Sequence, residues 1–223
     1  RQESSNSLTA SLDFSNFNGG WQYQFLAEGF YTQLIDPFAN EFGAPNENGV
    51  VVYTRVNAEE GAKVMGVNLE MNASPSNYLQ LQSGFTFQKS QYEEPQEFDE
   101  TRFFRTPNTY GYISLIYSPA PLFDLALTGN YTGPMLVPYF GPRLENPEAG
   151  QLNKSDAFFE TGLKLTYDIR ITESVVVQAN GGVKNLFNSY QDDFDTGINR
   201  DPAYIYGPLS PRTIYFGLKI GNL

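Results

Sequence analysis

The sequence contains no cysteine and no histidine among its 223 residues. Without cysteine there are no disulfides, zinc–thiolate sites or thiol nucleophiles, and without histidine the commonest general base and metal ligand is missing. Most hydrolase chemistry is excluded in this way. We therefore expect no catalytic residues, no enzymatic activity and no resident cofactor or metal.

Basic side chains are scarce as well. The chain has 14 lysines and arginines against 25 aspartates and glutamates, which gives a net charge of −11. A protein that binds duplex nucleic acid has to neutralise phosphates, so we expect no nucleic-acid partner. Partners should be neutral, cationic or bridged by metal ions.

Long apolar runs are also missing. The longest, Val50–Tyr53 and Ala203–Tyr206, hold four residues each, whereas a membrane-spanning helix needs about 20. Helical membrane spans are therefore excluded. A transmembrane β-strand needs only about 9–11 residues with every second one apolar, and the sequence is compatible with that arrangement.

Strict alternation of apolar and polar residues is the main pattern that the sequence does contain. Leu79, Leu81 and Phe85 are separated by polar or small residues, and the same period of two recurs along the chain. Helical spacing never lasts beyond one turn, so we predict an all-β protein of about nine antiparallel strands. In this count Val51–Asn72 is one long strand, with a bulge near Met65–Val67 where the apolar phase shifts.

The predicted connections between strands alternate in length. Short turns fall at Ser15–Gly20, Ala73–Asn77, Ser118–Pro121 and Arg170–Ser174, and long loops at Asp36–Gly49, Gln91–Phe104, Thr132–Ser155 and Asn188–Pro211. The long loops contain 14 acidic and 4 basic residues, a net charge of −10 that is nearly the whole charge of the chain. Short turns at one end and long loops at the other are typical of an up-and-down transmembrane β-barrel.

Two sets of strand residues fit this interpretation. Aromatic residues flank the short turns, where they would lie at one bilayer interface: Phe14, Trp21, Tyr78, Tyr117, Phe123 and Tyr167. Polar residues alternate with the apolar ones and should line the lumen: Gln80, Gln82, Thr86, Gln88, Asp124, Asn130, Glu160, Lys164, Asp168, Gln178 and Lys184. Outer-membrane lipids would then be partners of the apolar side.

The last long loop carries the candidate ligand-binding residues. Asp192, Asp193 and Asp195 have a spacing that could hold Ca²⁺, but the pattern of an EF-hand loop is incomplete and a solvated acidic loop is the simpler interpretation. Arg200, Tyr204 and Tyr206 could contact a ligand through hydrogen-bond donors and aromatic faces. Alternatively, the tyrosines pack the loop onto itself.

Nine up-and-down strands do not close a barrel by themselves. Bacterial single-chain barrels have an even number of strands, because an open edge inside lipid would leave backbone groups unsatisfied. We therefore expect residues 1–223 to form the C-terminal part of a larger barrel, with the upstream strands as further partners.

Several segments, in this order, resemble the barrels of TonB-dependent outer-membrane receptors, in particular those of Bacteroidetes. They are GFYTQLIDPF (Gly29–Phe38), GAKVMGVNLEM (Gly61–Met71), GVKNLFN (Gly182–Asn188), QDDFDTG (Gln191–Gly197), RDPAYIYGP (Arg200–Pro208) and PRTIYFGLKI (Pro211–Ile220). Asn68 stands where the family usually has an acidic residue, and Leu223 replaces its common final Phe.

The resemblance implies a barrel of 22 strands around an N-terminal plug, and a location in the bacterial outer membrane. It implies nutrient import, in which outer loops capture the ligand and TonB acts on the plug, and it leaves room for a surface lipoprotein partner. The lumen-lining residues would then bond with the plug, with one another or with water. A metal chelate such as a siderophore, haem or cobamide is the favoured substrate.

Three alternatives stay open at this point. The chain could belong to a glycan or peptide importer of the same family, to a passive porin-like barrel, or to a soluble β-sandwich that binds glycans or surfaces. The sandwich is opposed by strands longer than the usual five or six residues.

Overall fold

The computed structural model describes residues 1–43, 52–58, 60–173 and 175–222. It has thirteen strands: β1 (Ser4–Asn18), β2 (Trp21–Ile35), β3 (Phe38–Phe42), β4 (Tyr53–Asn57), β5 (Ala62–Ser76), β6 (Leu79–Tyr92), β7 (Thr109–Ala120), β8 (Phe123–Thr132), β9 (Leu136–Tyr139), β10 (Gln151–Lys154), β11 (Phe158–Arg170), β12 (Val175–Lys184) and β13 (Thr213–Asn222). One 3₁₀ turn spans Glu97–Asp99. Within the described ranges, no helix is long and apolar enough to cross a membrane.

Nine of these strands form one antiparallel sheet. Its order is β1-β2-β5-β6-β7-β8-β11-β12-β13. Neighbours in the sheet therefore follow one another along the chain, except that two hairpins between them lie outside this sheet. Those hairpins, β3–β4 and β9–β10, form separate two-stranded sheets. The prediction of an all-β, up-and-down sheet of nine strands is confirmed.

The prediction of one long strand from Val51 to Asn72 is wrong. Val51 lies outside the described residues, and the rest of the segment forms two strands in different sheets, with β4 paired to β3 and β5 in the main sheet. The strand is interrupted before Ala62 at Gly61, whose φ of +89° suits glycine. The predicted bulge at Met65–Val67 is also absent from the described pairing.

The register between β5 and β6 is regular from Ala62 to Ala73 and shifts only between Ala73 and Ser76. This position adjoins Pro75, which has no N–H to donate to a ladder. The change of apolar phase has a simpler origin, because Val64 lies on the polar face of the sheet opposite Thr32 and Ser90.

The alternation of short and long connections is confirmed. The short turns are Gly19–Gly20, Asn77–Tyr78, Pro121–Leu122 and residues 171–174. The long connections are called L1 (36–61), L2 (93–108), L3 (133–157) and L4 (185–212) below, and their described parts lie at the opposite end of the sheet. L1 contains β3 and β4, and L3 contains β9 and β10.

One face of the main sheet is apolar and uncovered. Leu12 is 79% exposed, Leu165 45% and Ile214 80%, although a soluble protein would bury such side chains. A β-sandwich needs a second sheet on this face, and the described residues supply only the two short hairpins of L1 and L3. The sandwich interpretation is therefore wrong for the part of the chain that the structure describes.

The largest apolar core lies in the loops. Met135, Val137, Tyr139 and Tyr204 are buried together, and Leu144 and Tyr206 pack against them. This cluster joins L3 to L4. Side chains that stabilise one another in this protein are therefore concentrated where the long loops meet, which is also where the sequence places the candidate ligand-binding residues.

Candidate functional site

The long loops are fastened to one another. The backbone N–H of Glu93 in L2 donates to Gly61 O in L1 at 3.1 Å. Arg105 in L2 donates through its backbone N to Leu136 O in L3 at 2.7 Å and through Nη2 to Ala203 O in L4 at 2.6 Å. The described parts of the four loops thus form one hydrogen-bonded layer at this end of the sheet.

L4 begins with a turn built on two asparagines. Asn185 and Asn188 have φ values of +50° and +57°, a region that asparagine tolerates better than most residues. Buried Asn185 binds three groups of L4: its Oδ1 accepts from Ser189 N at 2.8 Å, and its Nδ2 donates to Ser189 O and Ser210 O. Asn188 Oδ1 accepts from Arg212 N at 2.9 Å. The two asparagines of the GVKNLFN segment thereby hold both ends of L4 together.

Asp193 is the centre of a hydrogen-bond network within L4. Its Oδ1 accepts from Tyr206 OH at 2.9 Å and from Gln191 Nε2 at 3.0 Å, and its Oδ2 accepts from Tyr204 OH at 3.1 Å. Gln191 is 1% exposed, and its Oε1 accepts from the backbone N of Tyr206 and Gly207. The two predicted tyrosines therefore direct their hydroxyl groups at a predicted aspartate.

Asp195 joins L4 to L3. Tyr139 OH donates to Asp195 Oδ1 at 3.1 Å, and Arg143 Nε lies 3.6 Å from the same oxygen. The other oxygen, Oδ2, accepts from Asp201 N at 2.6 Å. The Asp195 side chain is only 4% exposed, so the desolvation of this carboxylate is offset by a cation and two hydrogen bonds.

Aromatic rings strengthen the same junction. The ring centroids of Tyr139 and Tyr204 are 4.6 Å apart, and those of Tyr204 and Tyr206 are 5.2 Å apart at 71°, close to an edge-to-face arrangement. The guanidinium of Arg143 lies 4.6 Å from the Tyr139 ring centroid and 5.5 Å from that of Tyr204. L3 and L4 are thus joined by apolar contact, cation–π contact and hydrogen bonds.

Burial raises the pKa of Tyr206 strongly, and the adjacent Asp193 carboxylate raises it further. Burial also raises the pKa of Tyr204, again with help from the charge of Asp193. Hydrogen bonding to Tyr139 raises the pKa of Arg143. Both phenols therefore stay protonated at physiological pH and can donate to the Asp193 carboxylate.

The structure divides the candidate ligand-binding residues into two groups. It brings Asp193, Asp195, Tyr204 and Tyr206 together in the junction. It leaves Asp192 and Arg200 exposed to solvent, and Arg200 Nη1 donates to the nearby Gly197 O at 3.3 Å. In the described ranges, no group of three acidic side chains has the arrangement of a metal site.

The residues predicted to line the lumen share one face of the sheet. The register places Glu160 opposite Asn130 and Asp168 opposite Gln178, and cross-strand partners lie on the same side. Gln178 Nε2 donates to Asp168 Oδ1 at 2.8 Å. The remaining members fall on the same face: Gln80, Gln82, Thr86, Gln88, Asp124, Lys164 and Lys184.

The predicted interface aromatics follow the opposite face. Phe14, Trp21, Tyr117, Phe123 and Tyr167 lie on the apolar side at the short-turn end, and Tyr78 lies in the turn before β6. A second aromatic set at the long-loop end was not predicted: Tyr31, Phe87, Tyr131 and Phe159, with Phe187 stacked on Phe159 at 6.3 Å. A rise of about 3.3 Å per residue separates Phe159 from Tyr167 by about 26 Å along β11, comparable with the apolar band of about 25 Å in such barrels.

Half of the L3–L4 junction was not predicted from the sequence. Four residues form junction hydrogen bonds as the predicted ones do but lie in irregular loops or in a four-residue strand: Tyr139, Arg143, Gln191 and Asp201. Gln191 directly precedes the acidic run in the sequence, and this position is the one signal that points to it. No periodicity marks Tyr139 or Arg143, because their role depends on a contact across about 55 residues of chain.

Comparison with known proteins gives a consistent result. A family model described as TonB dependent receptor-like, beta-barrel matches residues 1–186. A search of curated proteins found no match.

Three similar solved structures show the fold. The ferric-catecholate import receptor Fiu from E. coli is 18% identical with a TM-score of 0.66, over 99% of this chain and 28% of that one. The copper transporter OprC is 16% identical with a TM-score of 0.65, over 99% and 31%. The ferripyoverdine receptor of the Pseudomonas aeruginosa outer membrane is 13% identical with a TM-score of 0.63, over 99% and 27%.

The chain spans less than a third of the length of these similar structures. The total of 22 strands, the Bacteroidetes type and the cobamide substrate remain predictions. Family model, strand order and fold nevertheless agree: the chain belongs to the TonB-dependent receptor β-barrel family, whose members lie in the outer membrane of Gram-negative bacteria.

Proposed function

We propose that this chain is the C-terminal part of the barrel of an outer-membrane importer that captures a scarce nutrient and moves it inward with energy from TonB. The observation that carries the proposal is the amphipathic nine-stranded sheet with all four long loops at one end. The apolar face would meet lipid, and the polar face would line a lumen filled by a plug. Nothing in this role requires covalent chemistry, so we propose no enzymatic activity.

We propose that L3 and L4 present the ligand-binding surface. Asp193 accepts from Tyr204 and Tyr206 within L4, and Asp195 accepts from Tyr139 of L3, so the role of these residues would be to position the two loops. Exposed Asp192 and Arg200 would be free to contact the ligand directly. This assigns the predicted binding residues to two roles that mutations can separate.

A metal chelate is the substrate class that we favour. The similar structures include a ferric-catecholate import receptor, a copper transporter and a ferripyoverdine receptor, so metal-bearing cargo recurs among proteins of this fold. The acidic loops suit a ligand with cationic or neutral groups rather than a polyanion. A glycan or peptide importer of the same family is the second candidate, and a surface lipoprotein would be a further partner in that case.

The proposal is tested with the complete gene in a Gram-negative host that lacks its own receptors, with and without functional TonB. Uptake of labelled ferric catecholate, ferric hydroxamate, haem, cobalamin and an oligosaccharide is measured under limitation of each nutrient. We expect saturable uptake of one metal-bearing ligand that disappears without TonB. Selective uptake of the oligosaccharide would favour the second candidate, and equal, TonB-independent entry of all solutes would show a passive pore.

Variants in L4 test the assignment of roles. Asp192→Ala and Arg200→Ala should each raise the ligand Kd by about tenfold, because each removes a direct polar contact. Thr196→Ala, at another exposed position of L4, is the matched control and should leave the Kd unchanged. Unchanged affinity in both test variants would exclude these residues from the ligand contact.

A further inference from the structure

The apolar face of the main sheet carries two charges. Every acidic residue of its strands lies on the polar face: Asp13, Glu28, Glu70, Asp124, Glu160 and Asp168. Four of its six basic residues lie there too: Lys164, Arg170, Lys184 and Lys219. Within the described strands, only Lys63 and Lys89 lie on the apolar face.

These two lysines are neighbours. Lys63 is opposite Gln91, and Lys89 is opposite Met65, so the lysines occupy diagonal positions on β5 and β6 at the long-loop end. Diagonal partners are about 7–8 Å apart. Two like charges this close disfavour each other, and their placement together on an otherwise uncharged surface calls for an anionic counterpart.

The register also fixes their height on the sheet. A polar row crosses five neighbouring segments at the upper edge of the apolar face: Asn6, Gln33, Lys63, Gln91 and Arg102. Lys89 lies one row below, level with Leu8, Tyr31 and Met65. A lysine at this level can lay its aliphatic stem along apolar neighbours and reach the polar row with its ammonium group.

Protein carboxylates neutralise only part of this charge. Lys63 Nζ lies 3.0 Å from Glu93 Oε2, and Arg102 Nη2 lies 2.6 Å from Glu100 Oε2. Lys89 is exposed, and none of the described carboxylates lies within ion-pair distance of it. The pair with Arg102 holds the pKa of Glu100 down at about 2, mainly through their hydrogen bond.

We propose that Lys63, Lys89 and the adjoining Arg102 form a binding site for the phosphate groups of a phosphorylated lipid in the outer leaflet. Charge complementarity and position carry this inference, because the cations lie at the boundary of the apolar band, where lipid headgroups begin. The inference rests on the proposed function, in which the apolar face meets the membrane. It adds a specific anionic occupant at one place on that face.

The test uses the full-length receptor in neutral detergent and lipid A bearing two phosphates as the probe. The double variant Lys63→Gln/Lys89→Gln should bind this lipid about 30-fold more weakly, since each cation near the membrane surface contributes about fivefold. The matched control Lys164→Gln/Lys219→Gln removes two cations from the opposite face and should bind like the wild type. The variant Lys63→Arg/Lys89→Arg changes the same two positions but keeps both positive charges, and it should retain binding. Retained binding would show that the loss in the glutamine variant comes from the missing charges and not from misfolding.

Three results would overturn the inference. The first is lipid binding by Lys63→Gln/Lys89→Gln that equals binding by the wild type. The second is wild-type binding of lipid A without phosphates that equals its binding of the phosphorylated lipid. The third is complete displacement of the lipid by an equal concentration of inorganic pyrophosphate. The last result would assign the site to free phosphate. Lipid binding is measured on the purified receptor and does not depend on energised uptake. If the wild-type receptor transports no nutrient, that result therefore counts against the proposed function and not against the lipid site.

Discussion

At the scale of single residues, the L3–L4 junction shows how a charged loop becomes ordered. Asp193 and Asp195 belong to an acidic run that would repel itself in a flexible loop, yet five hydrogen bonds from Tyr204, Tyr206, Gln191, Tyr139 and Asp201 satisfy their oxygens. Hydrogen bonds to a charged group contribute about 1.5–3 kcal/mol each. The aspartates therefore hold the loop in place rather than destabilise it.

Replacing Tyr206 by Phe should loosen this junction. The ring contacts remain, but Asp193 Oδ1 loses one of its two donors, so we expect local stability to fall by about 1–2 kcal/mol. Hydrogen exchange of the L4 amides in the full-length receptor measures the change. Tyr190→Phe in the same loop is the control, because none of the described residues forms a hydrogen bond with its hydroxyl. Equal protection of L4 in the Tyr206→Phe variant would contradict the positioning role.

At the scale of elements, the alternation along β2 has two exceptions that the tertiary structure explains. Leu26 and Phe30 lie on the polar face, opposite Glu70 and Gly66. Gly66 has no side chain, and the Phe30 ring occupies the space above it, so that a Cβ at position 66 would come within 2.7 Å of Phe30 Cζ. The aromatic side chain thus fills a gap that a glycine leaves in the neighbouring strand.

Gly66→Ala should weaken the pairing of β5 with its neighbours. The added methyl would meet the Phe87 carbonyl oxygen as well as the Phe30 ring, and a backbone atom cannot move aside easily. We expect a cost of about 1–3 kcal/mol, seen as a lower unfolding temperature of the full-length receptor. Gly29→Ala on β2 is the control, since its nearest neighbour, Ala10 O, is 4.0 Å away. Equal unfolding temperatures of the two variants would contradict the close approach.

At the scale of the whole molecule, the distribution of side chains is the inverse of that in a soluble protein. The uncovered face of the sheet is apolar, the opposite face is polar, and the cluster of buried apolar residues lies in the loops. Such a sheet is stable only where hydrocarbon replaces water on one side. This is why strand alternation, rather than overall hydrophobicity, identifies the class of protein.

A charge in the middle of the apolar band should therefore be costly. Leu127 pairs with Leu115 and Leu163 on that face, and Leu127→Arg should destabilise the folded receptor by about 2–4 kcal/mol. The control Asn130→Arg places the same charge on the polar face of the same strand, opposite Glu160. The heat-dependent electrophoretic mobility of the receptor in outer membranes reports the folded fraction. Loss of the folded band in both variants, or in neither, would contradict the assignment of the two faces.

The sequence by itself determined the strands, the two faces and the asymmetry of turns and loops, because a period of two is a local property that each segment carries alone. It misplaced the Val51–Asn72 strand because the segment is interrupted at Gly61, whose φ is +89°, while apolar residues recur on both sides of the interruption. It also did not indicate which residues join L3 to L4. Tyr139 lies 56 residues before Asp195 in the chain, and both it and Arg143 contact Asp195 only in the folded structure. The diagonal of Lys63 and Lys89 exists only in the register of β5 and β6. Contacts of this kind depend on side chains from distant segments, and only the tertiary structure decided them.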